Sequence, residues 1–301
     1  MAQPWQRMRR LWKQLLHAPR RPVPGFANAT VEWKVRGAPS LRLREDTPYD
    51  RGAFATSGMA VWPAARVLAE HLLADGAAKL RGRRVLELGA GTGALGLACA
   101  TGQASRVVLT DCLAGDGGSA KSSEVAPGCR RQLELLEHNV LLNRSQFGTC
   151  EVLVADLDFR DAEASADVVR RYGPFDLVVG SDLTYSYLFD SRELVTCISR
   201  LLDAHTCIRR ALHASASTST TVWKHDQCPP EVCLAHQYRS HACMETLIEH
   251  LKGVGMAATE VHWEAGVVVL HIGPSAAGSD EEMSAKLRTS FRLHHSFYSS
   301  Y

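Results

Sequence analysis

The chain has no apolar run long enough to cross a bilayer: stretches such as Gly266 to Ile272 fall far short of the ~20 residues a spanning helix needs, so no membrane span is expected. It has almost no charge excess. Thirty-four basic and 32 acidic residues leave a formal net charge of +2, without the strong basicity of a general nucleic-acid binder, so no nucleic-acid partner is expected. The nine cysteines include no C-x-x-C pair and are odd in number, which argues against a zinc site or a disulfide framework and for a reduced intracellular chain. No histidine pair has the helix-face spacing of metal ligands beside a partner acid, and no G-x-S-x-G occurs, so zinc and serine hydrolases are disfavoured. No metal is expected.

What is present is an ordinary soluble composition, 46% hydrophobic and 22% charged over 301 residues. Residues 1–27 read as a basic arm: Arg7, Arg9, Arg10, Lys13, Arg20 and Arg21 precede the first acid, Glu32, and Trp5, Met8, Trp12 and Leu15 share one helical face. A basic surface arm on a cytoplasmic protein is the expectation, with a mitochondrial address as the alternative reading. The main domain is expected over 28–272 and a serine-rich tail over 273–301, with a short helix near 280–293.

Thr30 to Val35 and Ser40 to Arg44 alternate around Gly37 and Pro39, as a small strand pair does. Pro63 suits the first turn of a helix that uses Val67, Leu68, Leu72 and Leu73. From Arg83 onward, β-rich runs alternate with amphipathic stretches, the pattern of a parallel sheet with crossover helices. Strands are predicted at 84–88, 106–110, 150–155, 175–181, 231–237, 256–262 and 266–272, and helices at 93–102, 129–143, 161–171, 190–203 and 241–252. Only a short turn separates the last two strands, so they are expected to pair as an antiparallel hairpin. The fold class is therefore α/β, a Rossmann-like seven-stranded, mostly parallel sheet with a terminal antiparallel hairpin, preceded by the strand pair. Residues 113–128 and 205–230 have loop composition and read as insertions.

The run Val85-Leu86-Glu87-Leu88-Gly89-Ala90-Gly91-Thr92-Gly93 ends an apolar strand in glycines that open a helix, so bare backbone can approach a ligand at the helix's positive end. Gly89, Gly91 and Gly93 would make room for a nucleoside. Gly91-x-Gly93-x-x-Gly96 also satisfies the dinucleotide fingerprint, which alone is a weak signal. Glu87 tilts the choice: a carboxylate there can accept from a cationic amino group but would repel a pyrophosphate, which favours S-adenosylmethionine (AdoMet) over NAD. Asp111, at the end of the next strand, is placed to accept from ribose hydroxyls with either cofactor. At the third strand's end, Asp156 or the Leu157 backbone is placed for the polar edge of adenine and Phe159 for its face.

The fourth strand delivers Ser181-Asp182-Leu183-Thr184-Tyr185 to the carboxyl edge of the sheet, where open α/β folds bind substrates. Asp182 and Tyr185 are the candidate catalytic pair, able to orient an amine nucleophile towards a methyl group.

At this point the sequence resembles a known family, the seven-β-strand protein lysine methyltransferases of methyltransferase family 16. The resemblance rests on Val61-Trp62-Pro63-Ala64-Ala65, the Glu87-x-Gly89-x-Gly91-x-Gly93 strand, Asn139-Val140-Leu141-Leu142-Asn143, Asp156-Leu157-Asp158-Phe159, the D-x-x-Y element Asp182 to Tyr185, and Leu234 to Arg239, in order over roughly 30–272. It implies AdoMet contact by Trp62, the Gly89-Ala90-Gly91 backbone, Asp111, the aromatic position Phe159 and the backbone of Ser181. It also implies an acceptor lysine beside Asp182 and Tyr185. Phe159 departs from the tryptophan usual in the family, which puts the strength of adenine stacking in question.

The resulting expectation is a monomeric enzyme that transfers methyl from AdoMet to a lysine ε-amine of a protein substrate. Methylation of another protein nitrogen or of a small molecule is the nearest alternative. From other classes come an NAD(P)-dependent oxidoreductase and a noncatalytic AdoMet-binding subunit.

Overall fold

In the computed structural model, residues 30–45, 60–112, 127–184, 191–215, 229–238 and 241–275 are described. The basic arm, most of the first insertion, half of the second, the proposed tail helix and Tyr185 lie outside them. The strands are β1 (Thr30–Trp33), β2 (Leu41–Arg44), β3 (Arg84–Leu88), β4 (Arg106–Asp111), β5 (Glu151–Asp156), β6 (Leu177–Ser181), β7 (Glu231–Gln237), β8 (Met256–Glu264) and β9 (Val267–Pro274). The helices are α1 (Pro63–Ala77), α2 (Ala94–Thr101), α3 (Pro127–Asn143), α4 (Ala162–Tyr172), α5 (Ser191–Ser215) and α6 (His241–Gly253). Helix α1 starts with proline at its first turn, as the sequence implied, and breaks helical geometry at Ala74, Asp75 and Gly76. Among the described residues, no helix is long and apolar enough to cross a membrane.

Seven strands form one sheet in the order β5-β4-β3-β6-β7-β9-β8, and β1 and β2 form a separate antiparallel pair. The strands from β5 to β7 are parallel; β9 runs antiparallel to both β7 and β8. The β8–β9 turn is Ala265-Gly266, both at positive φ (50° and 77°), the twist that matches a two-residue hairpin. The expected fold class is the one observed.

Alternate residues of the central strands feed two cores. Val85, Val107, Leu109, Leu177 and Val179 pack with α1, α2, α3 and the β1–β2 hairpin, while Leu86, Leu88, Val108, Val178, Val232 and Leu234 pack with α4, α5 and α6. A strand buried on both faces is largely apolar, which is why Val107–Leu109 of β4 and Leu177–Val179 of β6 read as continuous hydrophobic runs. Each fully buried leucine contributes about 2 kcal/mol.

One element departs from the sequence expectation. Residues 205–215, expected to open a loop insertion, continue α5 without interruption. Two of its polar residues, His205 (1% exposed) and Arg209 (7%), are buried against the segment that leads into β6. His205 Nε2 donates to the Phe175 carbonyl at 2.6 Å, and Arg209 Nη2 donates to that carbonyl and to Asp176, at 3.2 and 3.3 Å. Asp176 is also gripped by Arg84 through two guanidinium bonds of 2.9 and 3.0 Å.

Burial, with the Arg209 charge behind it, lowers the His205 pKa from 6.5 to about 4 against the opposing pull of the Phe175 carbonyl. The folded protein therefore resists a proton that the unfolded chain accepts between those values. Stability from this group is fully present above pH 6.5 and is lost as pH falls towards 4. Urea midpoints measured across that window should fall with pH, and His205→Gln should flatten the slope; an unchanged slope would remove His205 as its cause.

Candidate active site

Strands β3, β4, β5, β6 and β7 end along one edge, and the turns that follow them carry most of the predicted site residues. At the end of β3, Gly89, Gly91 and Gly93 all adopt positive φ (55°, 56° and 79°), a conformation that side chains disfavour. Their roles differ. A Cβ on Gly89 would lie 2.5 Å from Leu183 Cδ2 and 3.7 Å from Phe159 Cζ, so this position faces the edge. A Cβ on Gly93 would meet Leu136 Cδ1 at 2.5 Å, and one on Gly96 would meet Leu109 Cδ2 at 2.1 Å and Glu87 Oε2 at 2.4 Å. As N-cap of α2, Gly93 therefore also makes room for the protein's own core. Ala90 donates its amide to the Thr110 carbonyl at 2.8 Å, locking the loop to the end of β4.

Glu87 is buried (1% exposed), and its Oε2 accepts from the Gly96 amide at 2.9 Å. Burial pushes its carboxyl well above the ordinary range; the Gly96 bond opposes this and the nearby Asp111 adds to it. Asp111 Oδ2 accepts from the Gly91 amide at 2.7 Å and from Gln132 Nε2 at 3.2 Å, and Oδ1 from the Cys112 amide at 2.8 Å. Burial raises its pKa too, against those three bonds. Two carboxyls held high by burial are complemented by an incoming cation and opposed by an anion.

At the end of β5, Asp156 is exposed and in register with Asp111. The Leu157 amide donates to the Asp111 carbonyl at 3.0 Å and its side chain is 1% exposed, so that amide is engaged within the sheet and does not reach the edge. Phe159 is part-buried and packs beside Leu183 above Gly89.

Trp62, the N-cap of α1, is part-buried. Its neighbour Val61 donates its amide to Oε1 of the buried Glu45 at 2.8 Å, which pins the segment in place. Asn139 and Asn143, one turn apart on α3, act like a strand edge for β2. Their side-chain amides accept from the Arg44 and Arg42 amides at 2.7 and 2.9 Å and donate to the same residues' carbonyls at 3.0 and 2.8 Å. Asn139 also donates to the Thr92 carbonyl at 2.9 Å, tying the small hairpin to the glycine loop. Glu45 and Gln132 carry no local sequence signal for these roles, whereas the Asn-x-x-x-Asn spacing placed both amides on one helical face.

Ser181 closes β6 and is part-buried. Asp182 follows at φ 58° and is 5% exposed; its amide donates to the Ala235 carbonyl at 2.7 Å, and its Oδ1 accepts from the Gln237 amide at 3.4 Å. A non-glycine residue held in the left-handed region is locally strained and persists only where its surroundings fix it. The structure thus brings the glycine loop, Asp111, Asp156, Phe159, Ser181 and Asp182 to one edge, with the Glu87 carboxyl buried behind the loop against Gly96. Among the described residues, no group of three or more His, Cys, Asp or Glu side chains is arranged to hold a metal.

The donor set at this edge fits an adenosyl group joined to a cationic amino-acid tail: a backbone cradle that a Cβ would fill, a carboxylate at the end of β4 and an aromatic ring beside it. Residues 39–116 match a family model described as lysine methyltransferase. The chain is 28% identical over 182 residues to a calmodulin-lysine N-methyltransferase of Arabidopsis thaliana, covering 56% of this chain and 53% of that one. It is also 28% identical over 234 residues to the protein-lysine N-methyltransferase EEF2KMT of Mus musculus, covering 75% of this chain and 56% of that one. The chain thus spans somewhat over half the length of these curated relatives. Among solved structures, the 16S rRNA N2 G1207 methyltransferase RsmC of T. thermophilus aligns at 17% identity and a TM-score of 0.47, over 85% of this chain and 52% of that one. The chain is similar in sequence to protein lysine methyltransferases, as its motifs implied, and the family match falls on the Trp62, glycine-loop and Asp111 segment.

Proposed function

We propose that the protein is an AdoMet-dependent methyltransferase that modifies a lysine ε-amine of a protein substrate, acting as a monomer. The observation that carries this is the pairing of a glycine cradle ending at the Asp111 carboxylate with a strained, buried Asp182 one strand away. AdoMet, when bound, supplies an electrophilic methyl group on a sulfonium. The chain's own residues do the rest. The Gly89 to Gly91 backbone admits the nucleoside, Asp111 accepts from its ribose hydroxyls, Asp156 and Phe159 meet the adenine, and Trp62 and the Ser181 backbone bound the methionine tail. Glu87, fixed on the Gly96 amide, braces the glycine loop from behind, and a cationic tail bound nearby would draw its buried carboxyl towards the ionised form.

The acceptor lysine arrives as an ammonium, since free lysine titrates near pH ~10.4. Asp182 recruits and orients it, the proton leaves to water, and Tyr185 narrows the approach to the methyl group. Calorimetry tests the cofactor: S-adenosylhomocysteine should bind and NAD should not, and the opposite pattern would sink the proposal. Asp111→Ala should weaken that binding by about 1.5 to 3 kcal/mol through lost charge-assisted hydrogen bonds; an unchanged dissociation constant in a folded variant would remove Asp111 from the site. We further propose a cytoplasmic location. Imaging a carboxyl-terminal fluorescent fusion with and without residues 1–24 checks this, because mitochondrial signal that depends on the segment contradicts it.

A further inference from the structure

Three consecutive residues at the end of β7 each hold one polar atom of the loop that carries Asp182. The Ala235 carbonyl accepts from the Asp182 amide at 2.7 Å, the Gln237 amide reaches Asp182 Oδ1 at 3.4 Å, and between them His236 Nδ1 is hydrogen-bonded to Thr184 Oγ1 at 2.8 Å. The first two are backbone groups that any sequence would supply. The third depends on histidine. His236 is 1% exposed in a strand whose other interior residues, Val232, Cys233, Leu234 and Ala235, are small or apolar. An imidazole in such a place costs desolvation that only a hydrogen bond offsets, so its partner matters.

That partner lies two residues beyond the left-handed Asp182, on the side of the loop that leads to Tyr185. Strand β7 is held on both sides, by β6 and β9, and so is a rigid platform. Thr184 stands in the loop that follows β6.

We propose that His236 is a positioning residue for methyl transfer: through Thr184 it fixes the loop so that Asp182 faces the acceptor amine. The assignment rests on the reading of this loop as the acceptor site. His236 acts at one remove and touches neither amine nor cofactor, so its loss should slow transfer while sparing cofactor binding.

The test uses the full chain, tritiated AdoMet and a cell extract as the source of acceptor protein, with initial rates taken at saturating AdoMet. His236→Leu should lower the rate by about tenfold or more, the scale of a mispositioned acceptor, with S-adenosylhomocysteine binding within about threefold of the parent. His236→Asn places an amide where Nδ1 stood and should recover most of the rate. Thr184→Val should produce the same loss as His236→Leu, and the double variant should lose no more than either, because the pair acts as one unit. His236→Leu that binds cofactor and transfers methyl at the parental rate overturns the proposal, as does additive loss in the double variant. Loss of cofactor binding together with rate in both His236 variants also overturns it, because His236 would then support the fold as a whole. A parent that binds S-adenosylhomocysteine but labels no protein overturns the acceptor-site reading itself, and this proposal with it.

Discussion

Asp182→Ala is expected to reduce methyl transfer by roughly a hundredfold or more while leaving S-adenosylhomocysteine binding within a few-fold of the parent, the scale on which loss of positioning acts. The asymmetry follows from where the side chain sits. Asp182 lies beyond Ser181 at the end of β6, with its carboxylate turned to the Gln237 amide of β7 and away from the glycine loop and Asp111. Removing it leaves the cradle's own hydrogen bonds intact. Alanine also tolerates φ 58° less well than aspartate, so part of the effect is loop strain. Asp182→Asn separates the two: asparagine accepts from the same amide and adopts the same backbone region, and lacks only the charge that recruits an ammonium. Transfer by Asp182→Asn should therefore fall chiefly through weaker acceptor binding. Tyr185→Phe should be milder than Tyr185→Ala if the ring, and not its hydroxyl, narrows the approach. A folded Asp182→Ala protein that transfers methyl at the parental rate would remove this loop from the acceptor site.

The second large effect separates glycines that a motif groups together. Gly89→Val should abolish measurable S-adenosylhomocysteine binding, a loss of at least about a hundredfold, or ~2.7 kcal/mol. Its Cβ would point at Leu183 and Phe159 on the binding edge, at a φ of 55° that a β-branched residue resists. Gly96→Val should act on the fold instead. A Cβ there meets Leu109 at 2.1 Å and Glu87 Oε2 at 2.4 Å inside a filled core, so urea unfolding should report a loss of roughly 3 kcal/mol or more. The paired measurement, binding by calorimetry and stability by urea, should show opposite dominance in the two variants. If Gly96→Val leaves the urea midpoint unchanged, the packing account of the last glycine is wrong.

Much of this architecture was legible because central strands advertise themselves. Strands β3 and β7 were placed at 84–88 and 231–237 from short β-rich runs between turn residues, and the terminal hairpin from a single short turn. Long-range polar anchoring was not legible. Residues 205–215 read as part of a segment of loop composition, yet His205 and Arg209 in them are buried through bonds to Phe175 and Asp176, some thirty residues away in sequence. No local pattern announces such partners.

The site divides in the same way. Residue type and strand-end position found Glu87, Asp111 and Asp182, since a carboxylate at a carboxyl edge is rare without purpose. Spacing could not assign directions: Gly93 and Gly89 share the motif, but one Cβ would enter the core and the other the edge. Nor did spacing show that strand pairing takes up the Leu157 amide. Glu45 and Gln132 escaped notice, and His236 was seen only within the family-like Leu234 to Arg239 run and given no role, because each acts through a partner 16 to 52 residues away, on Val61, Asp111 and Thr184.

The most direct test of the central claim is to incubate the purified protein with tritiated AdoMet and a cell extract, digest the labelled protein and identify the residue that carries the label. The account predicts tritium in methylated lysine, dependent on Asp182 and competed by S-adenosylhomocysteine. Label on another residue type would keep the methyltransferase and discard the lysine acceptor. No label, from a protein that binds NAD and not S-adenosylhomocysteine, would contradict the account as a whole.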